Sequence, residues 1–251
     1  MGLKTLLRGR RFTIGSWISL YNNSIAEIMA QSGFDWLAVD MEHSSITLDQ
    51  AQNLIQVIDL SGIAALVRVG ENDPALIKRV MDAGADGVIV PMVNTAEEAE
   101  MAVRAVRYPP VGKRSVGLAR AQGYGQTFEK YRRWAGKESV TIVQIEHREA
   151  IENLGDILAV DGVDGSIIGP YDLSGSFGYP GEFARPEVKR ALERYESVCR
   201  KMKKPMGYHA VQPDPKAILS LAKRGYTFLA AGVDMLYLGN TCRDMVKAIK
   251  G

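Results

Sequence analysis

Cysteine is scarce in this chain, with only Cys199 and Cys242 among 251 residues. Neither forms a CxxC pair or lies near a histidine in sequence. A disulfide framework and a zinc site are therefore poor readings, and a reduced, cytoplasmic protein is expected. Long apolar runs are missing as well: nothing approaches the roughly 18 consecutive apolar residues of a bilayer span. The basic stretch from Met1 to Arg11 lacks the apolar centre of a secretory signal. An excess of charge is also absent, because 31 basic and 29 acidic residues leave a formal net charge of +2. That balance argues against nucleic acid or an anionic membrane as the main partner. No GxGxxG follows the first apolar run, which removes the usual sign of an open dinucleotide-binding sheet.

What is present is a full core, with 46% hydrophobic and 24% charged residues. The length suits one (β/α)₈ barrel better than two average domains. A repeated local pattern points the same way. Helical stretches end at Gly33, Gly84, Gly162 and Gly225, and each glycine is followed within a few residues by a short apolar run. Glycine suits the left-handed position beyond a helix end, and a continuous apolar run suits a strand buried on both faces. Filling the gaps predicts strands near 12–19, 36–42, 64–69, 87–93, 140–146, 165–171, 205–210 and 228–233. Between them, Thr47 with Gln50 and Thr95 with Glu98 read as capping boxes, and Asp73-Pro74 and Asp214-Pro215 as helix starts. The fold expected is a single (β/α)₈ TIM barrel spanning 1–251.

One segment breaks the rhythm. From Arg107 to Lys137 the chain is rich in basic residues and glycine, and it contains Pro109-Pro110. Falling between the fourth and fifth strands, it is expected across the catalytic mouth or at a subunit interface, as a lid or as a solvated surface.

Barrel enzymes carry their chemistry at the C-terminal ends of the strands. Those ends here bring Trp17, the run Asp40-Met41-Glu42-His43, Arg68, Gln144 with Glu146, and Tyr171 with Asp172. Glu146 and Asp172 close consecutive strands, about 4.8 Å apart at the backbone. Two carboxylates so close suit a hard divalent ion, although acids that cap the following helices would give the same pattern. Arg68, ending a buried strand, needs a partner, and an oxyanion is the natural one at a barrel mouth. His43 titrates near neutrality and can move protons. His147 and His209 read more simply as packing or hydrogen-bonding residues.

Asp40-Met41-Glu42-His43, Arg68-Val69-Gly70, Val90-Pro91-Met92-Val93, Tyr108-Pro109-Pro110, Gln144-Ile145-Glu146 and Gly169-Pro170-Tyr171-Asp172-Leu173-Ser174 together resemble the HpcH/HpaI aldolase family, within the phosphoenolpyruvate/pyruvate barrels. The motifs come in the family's order from about Trp17 to Asp234. The resemblance implies a divalent-metal-dependent aldolase that cleaves a 4-hydroxy-2-oxo acid to pyruvate and an aldehyde through a metal-bound enolate. It implies Glu146 and Asp172 as ligands of Mg²⁺, Mn²⁺ or Co²⁺, and Gln144 as a substrate contact. Arg68 would stabilise the enolate and His43 would accept the proton, oriented by Asp40. Asp82 would reach a neighbouring subunit's site and raise the basicity of the histidine there, since the family is typically hexameric. Trp17 would pack on pyruvate, and the amides around Tyr171 and Asp172 would bind its carboxylate. The family commonly has a small residue in place of Tyr171, and the segments around Gly117–Gly125 and Val211-Gln212 follow it loosely. Those departures bear on the aldehyde partner.

Three rivals remain in view. A Schiff-base aldolase needs an inner-strand lysine, and no expected strand has one. A lyase or decarboxylase for another 2-oxo acid or a CoA thioester is the second, though this compact chain shows no extra sequence to hold a CoA handle. A non-catalytic 2-oxo acid binding barrel is the third, which fold alone never excludes.

Overall fold

A computed structural model describes all residues, Met1–Gly251. Eight parallel strands close into a barrel in sequence order. They are β1 (Thr13–Ile18), β2 (Trp36–Asp40), β3 (Ala64–Arg68), β4 (Gly87–Val90), β5 (Val140–Ile145), β6 (Gly165–Ile168), β7 (Met206–Ala210) and β8 (Phe228–Val233). Every expected strand forms. The expected ranges run past the observed ends of β2, β4 and β6 because the chain turns sharply at the rim. Met92 takes a left-handed φ of 51°, and Pro170 already begins a helix.

The local signals act as anticipated. Gly33, Gly84, Gly162 and Gly225 all have positive φ, and Thr47 and Thr95 each form a complete capping box. The aspartates at 73 and 214 cap helices that begin at a proline. Between strands and helices lies the main apolar layer, built from residues such as Leu37, Val67, Val88, Val143 and Leu229. A second cluster fills the barrel: Trp36 stacks on Phe228 with centroids 4.3 Å apart, among Ala38, Leu66, Ile89, Ile142 and Ile167. Gly15 makes room for this, since a Cβ there would lie 2.0 Å from the Trp36 ring.

The N-terminal helix Leu3–Arg8 belongs to that inner cluster through Leu3 and Leu7. On the same helix, the buried Lys4 donates to the Ser139 carbonyl at 2.7 Å and to Asp164 at 2.9 Å. These partners stand at the N-terminal ends of β5 and β6, far from the strand ends where a Schiff-base lysine would have to lie.

The segment 107–137 does not lie across the mouth. It follows the helix Ala96–Val106 that returns from β4, so it connects a helix end to the start of β5 on the opposite face. Arg120 there contacts the Ala83 carbonyl and Asp59, and the Tyr131 hydroxyl donates to the Met81 carbonyl. These acceptors sit at or near the C-terminal ends of outer helices, which is the barrel's lower face. Nor is the segment irregular throughout, because Phe128–Glu138 is helical. That helix buries only Tyr131 and Ala135, too narrow an apolar stripe to stand out in the sequence.

The last helix, Asp234–Lys250, buries only Asp234. Leu238, Met245, Val246 and Ile249 remain exposed along it. No helix is long and apolar enough to cross a membrane.

Candidate active site

At the C-terminal rim, β2 and β3 end on an ion pair. Arg68 Nε donates to Asp40 Oδ1 at 2.9 Å and Nη2 to Oδ2 at 2.7 Å, a buried, two-pronged pair. The register sets Asp40 opposite Arg68 across the two strands. Burial alone would raise the Asp40 carboxyl, but the hydrogen bonds and charge of Arg68 hold it below its usual value. Asp40 also accepts the backbone amides of Glu42 and His43, at 3.1 and 3.2 Å. The Arg68 guanidinium lies 4.3 Å above the Trp17 ring, which also meets His209 at 5.1 Å and, edge-on, Trp36 at 6.5 Å.

Asp40 therefore orients Arg68 and only the backbone of His43. The imidazole of His43 is 62% exposed, and its nearest acid is Glu42, at 3.8 Å. Glu42 lies 3.3 Å from Arg68 Nε, yet its buried Oε2 has no hydrogen-bond partner. Burial pushes Glu42 up to about 7 against the pull of Arg68, with Asp40 and Asp172 adding to the push.

On the other side of the rim, Glu146 follows β5. The Met92 amide donates to its Oε1 at 2.7 Å, and Gln144 Nε2 donates to Oε2. The unusual φ of Met92 aims that amide. Burial raises Glu146 to about 7 despite both hydrogen bonds, and the charges of Glu42 and Asp172 add to the rise. Gly169, at the end of β6, admits this carboxylate: a Cβ there would lie 2.9 Å from Glu146 Oε2. Asp172 stands exposed in the first turn of the helix Pro170–Ser176. The Tyr171 and Asp172 amides belong to that first turn, which has no intrahelical acceptor for them. The Tyr171 ring is half exposed and packs edge-on against Phe183 at 5.0 Å. It borders a cleft of about 370 Å³ shared with His209 and Gln212. Burial and the Arg68 charge lower His209 to about 3, so its imidazole is neutral at any physiological pH, and its buried Nε2 has no partner.

Of the expected residues Asp82 falls apart from this group, and His147, which was not expected in it, lies outside as well. Asp82 ends the helix Pro74–Asp82 on the lower face, where it pairs with the buried Arg114. His147 caps the helix Arg148–Glu152 by accepting the Glu149 amide at Nδ1, a hydrogen-bonding role of the kind its sequence context suggested.

Glu42, Glu146 and Asp172 thus lie within reach of one another's charge, and only Glu42 neighbours the Arg68 guanidinium, which is already committed to Asp40. An unpartnered buried carboxylate oxygen and mutually repelling acids fit a divalent cation. No three His, Cys, Asp or Glu side chains close a cage. Two protein carboxylates would leave the other positions to water or substrate oxygens, as in an open catalytic site.

Comparison with known proteins bears on the class. The model of the HpcH/HpaI aldolase/citrate lyase family matches residues 13–241. The chain belongs to this family. A 2-keto-3-deoxy-L-rhamnonate aldolase of Klebsiella pneumoniae subsp. pneumoniae is 43% identical over 235 residues, covering 92% of this chain and 86% of that protein. Among solved structures, an HpcH/HpaI aldolase/citrate lyase family protein from Burkholderia cenocepacia J2315 superposes with a TM-score of 0.94 at 31% identity, over 99% of both chains. The HpcH/HpaI aldolase from Desulfitobacterium hafniense DCB-2 gives 0.90 at 31%, over 100% of this chain and 97% of that one. The enzyme class expected from the sequence, a carbon–carbon lyase of the aldolase type, is the one this family carries, and the family is one of metal-dependent class II aldolases.

Sequence reasoning overlooked Glu42, Met92 and Gly169 as members of the site. Glu42 lay inside a quoted motif, and its position after a buried strand was the available signal. Met92 and Gly169 also lay inside quoted motifs, but their roles depend on backbone geometry that residue type does not announce.

Proposed function

We propose that the protein reversibly cleaves a 4-hydroxy-2-oxo acid of the 2-keto-3-deoxy type to pyruvate and an aldehyde, with Mg²⁺, Mn²⁺ or Co²⁺ as cofactor. One observation carries this reading above the rest: Glu146, Glu42 and Asp172 gather at one rim beside an arginine locked in a fixed orientation. Glu146 and Asp172 would hold the cation, with Gln144 steadying Glu146 and serving as a substrate contact. When bound, the cation supplies Lewis acidity towards the carboxylate and keto oxygens of a 2-oxo acid.

The chain's own residues supply the rest. His43, exposed and unclaimed by Asp40, accepts the proton of the 4-hydroxyl, directly or through water. As the C3–C4 bond breaks, negative charge grows on the former keto oxygen. Arg68, preorganised by Asp40 and the Trp17 face, stabilises that charge. Trp17 walls the pyruvate pocket, and the free amides of Tyr171 and Asp172 suit the substrate carboxylate. The pyruvate enolate then takes a proton at C3 from the protonated His43, directly or through water, which restores the base. The cleft bordered by Tyr171, His209 and Gln212 is the space available to the aldehyde part. A homo-oligomer, with a hexamer as the family's form, is part of this reading, as is the reach of Asp82 to a neighbouring site. The uncovered apolar residues of the last helix support association. A reducing, cytoplasmic setting suits the exposed Cys242 thiol.

The test is pyruvate release from oxaloacetate and from a panel of 4-hydroxy-2-oxo acids, with chelator and then with each metal. Activity abolished by chelator and restored by metal is the expected result. Folded protein that binds metal but releases no pyruvate from any of them would overturn the reading.

A further inference from the structure

One ring in the barrel mouth has no work in the scheme above. His209 lies on β7 between Tyr208 and Ala210, which both pack into the outer apolar layer. Its partner across the register, Ala230 of β8, belongs to the inner cluster. The imidazole therefore points into the barrel, where it meets the Trp17 ring at 5.1 Å. There Nε2 is buried without a hydrogen-bond partner. The nearby Arg68 turns its Nε and Nη2 to Asp40 instead. An unpaired buried nitrogen is costly, and such atoms call for a partner from outside the chain. The half-buried ring also borders the cleft of about 370 Å³, together with Tyr171, Gln212, Asp214 and Arg224. With no bond holding Nε2, the ring is free to turn about Cβ–Cγ and offer a nitrogen to whatever fills that space.

We propose that His209 reads a hydroxyl group on the aldehyde part of the substrate, next to the carbinol carbon, and so selects for hydroxyaldehydes. The inference rests on the aldolase reading, which gives that cleft to the aldehyde. The chemistry of the ring singles out the group. Burial and the charge of Arg68 keep the imidazole neutral, so it brings one N–H donor, one acceptor and no charge. A carboxylate or phosphate would find no counter-charge in it, and a methyl group would leave its nitrogen unpaired. A hydroxyl both donates and accepts, so it suits either tautomer. Because the ring packs on Trp17, the wall of the pyruvate pocket, it stands at the near end of the cleft. The first carbon beyond C4 is then the one within its reach.

The test compares two substrates that differ by one hydroxyl. Cleavage of 4,5-dihydroxy-2-oxopentanoate releases glycolaldehyde, and cleavage of 4-hydroxy-2-oxopentanoate releases acetaldehyde. Pyruvate release by the Mg²⁺-loaded protein gives kcat/KM for each. The wild type should favour the dihydroxy acid by about tenfold or more, since the other acid leaves the buried nitrogen unpaired. In His209→Leu that ratio should collapse to about one. His209→Gln keeps a donor and an acceptor and should retain part of it. A merely structural ring would slow both substrates together and leave the ratio as it was. A wild type without the preference, or a His209→Leu protein of native circular dichroism that keeps it, overturns the proposal. Should His209→Leu fail to fold, His209→Phe, closer to the ring in size, takes its place. Should the wild type cleave neither acid, their affinities by tryptophan fluorescence replace kcat/KM, and the same ratio decides. The aldolase reading itself is then judged by the wider substrate panel.

Discussion

Replacing Arg68 by Ala tests both the architecture of the rim and its chemistry. The substitution leaves Asp40 with two backbone amide donors, 3% exposed and without a counter-charge. Removing one partner of a buried ion pair costs about 3–5 kcal/mol, because the remaining charge stays desolvated. The loss of the cation above Trp17 adds to this. With a urea slope of about 3 kcal/mol/M, the unfolding midpoint should fall by roughly 1–1.7 M at pH 7. Tryptophan fluorescence is a suitable probe, since Trp17 lies against the deleted group. The pH dependence carries a sign. In the wild type, the lowered Asp40 pKa contributes stability above the unfolded-state value, which is lost as pH falls through the folded one. In the variant, burial dominates, the folded pKa rises above the unfolded value, and the penalty shrinks as pH falls. The gap between the two proteins should therefore narrow from pH 7 towards pH 4. Arg68→Lys should recover part of the stability and little of the activity, since an ammonium cannot reproduce the two-pronged contact. A midpoint shift below about 0.3 M for Arg68→Ala, or near-normal turnover, would refute the reasoning.

Further expectations concern the acids and the pocket. Gly169→Ala would press a methyl group against Glu146 Oε2 at 2.9 Å; metal affinity by calorimetry should drop at least tenfold while the circular dichroism spectrum stays native. Glu42 and Glu146 are both raised to about 7 in the metal-free protein, so each binds a proton more tightly folded than unfolded. Stability of that protein should fall as pH rises from 5 to 8, and added Mg²⁺ should raise the thermal midpoint more at pH 8 than at pH 6. An Mg²⁺ effect independent of pH would contradict this. His209, lowered to about 3, should show no imidazole titration between pH 5 and 8; a midpoint in that window would refute a desolvated ring beside Arg68.

The strand and helix pattern was legible because it rests on local physics. Left-handed glycines, capping boxes and short runs apolar on both faces act within a few residues of themselves. The same holds for the placing of Arg68, Glu146 and Asp172 at one rim, since parallel strands all end on one side. Partner choice was not local. Asp40 lies three residues from His43 yet binds Arg68, because the strand register sets those two opposite each other. Of the places expected for the segment 107–137, the catalytic mouth is the one the fold excludes, because a count of strands does not say whether a connection leaves a strand or a helix. The exposed last helix reads like any amphipathic helix until the fold leaves its apolar residues uncovered. By itself, then, the sequence determined the barrel, its order and the rim that carries the acids, through interactions that repeat at short range. Only the tertiary structure decided which acid meets which base, because those contacts join residues that the closing of the sheet brings together.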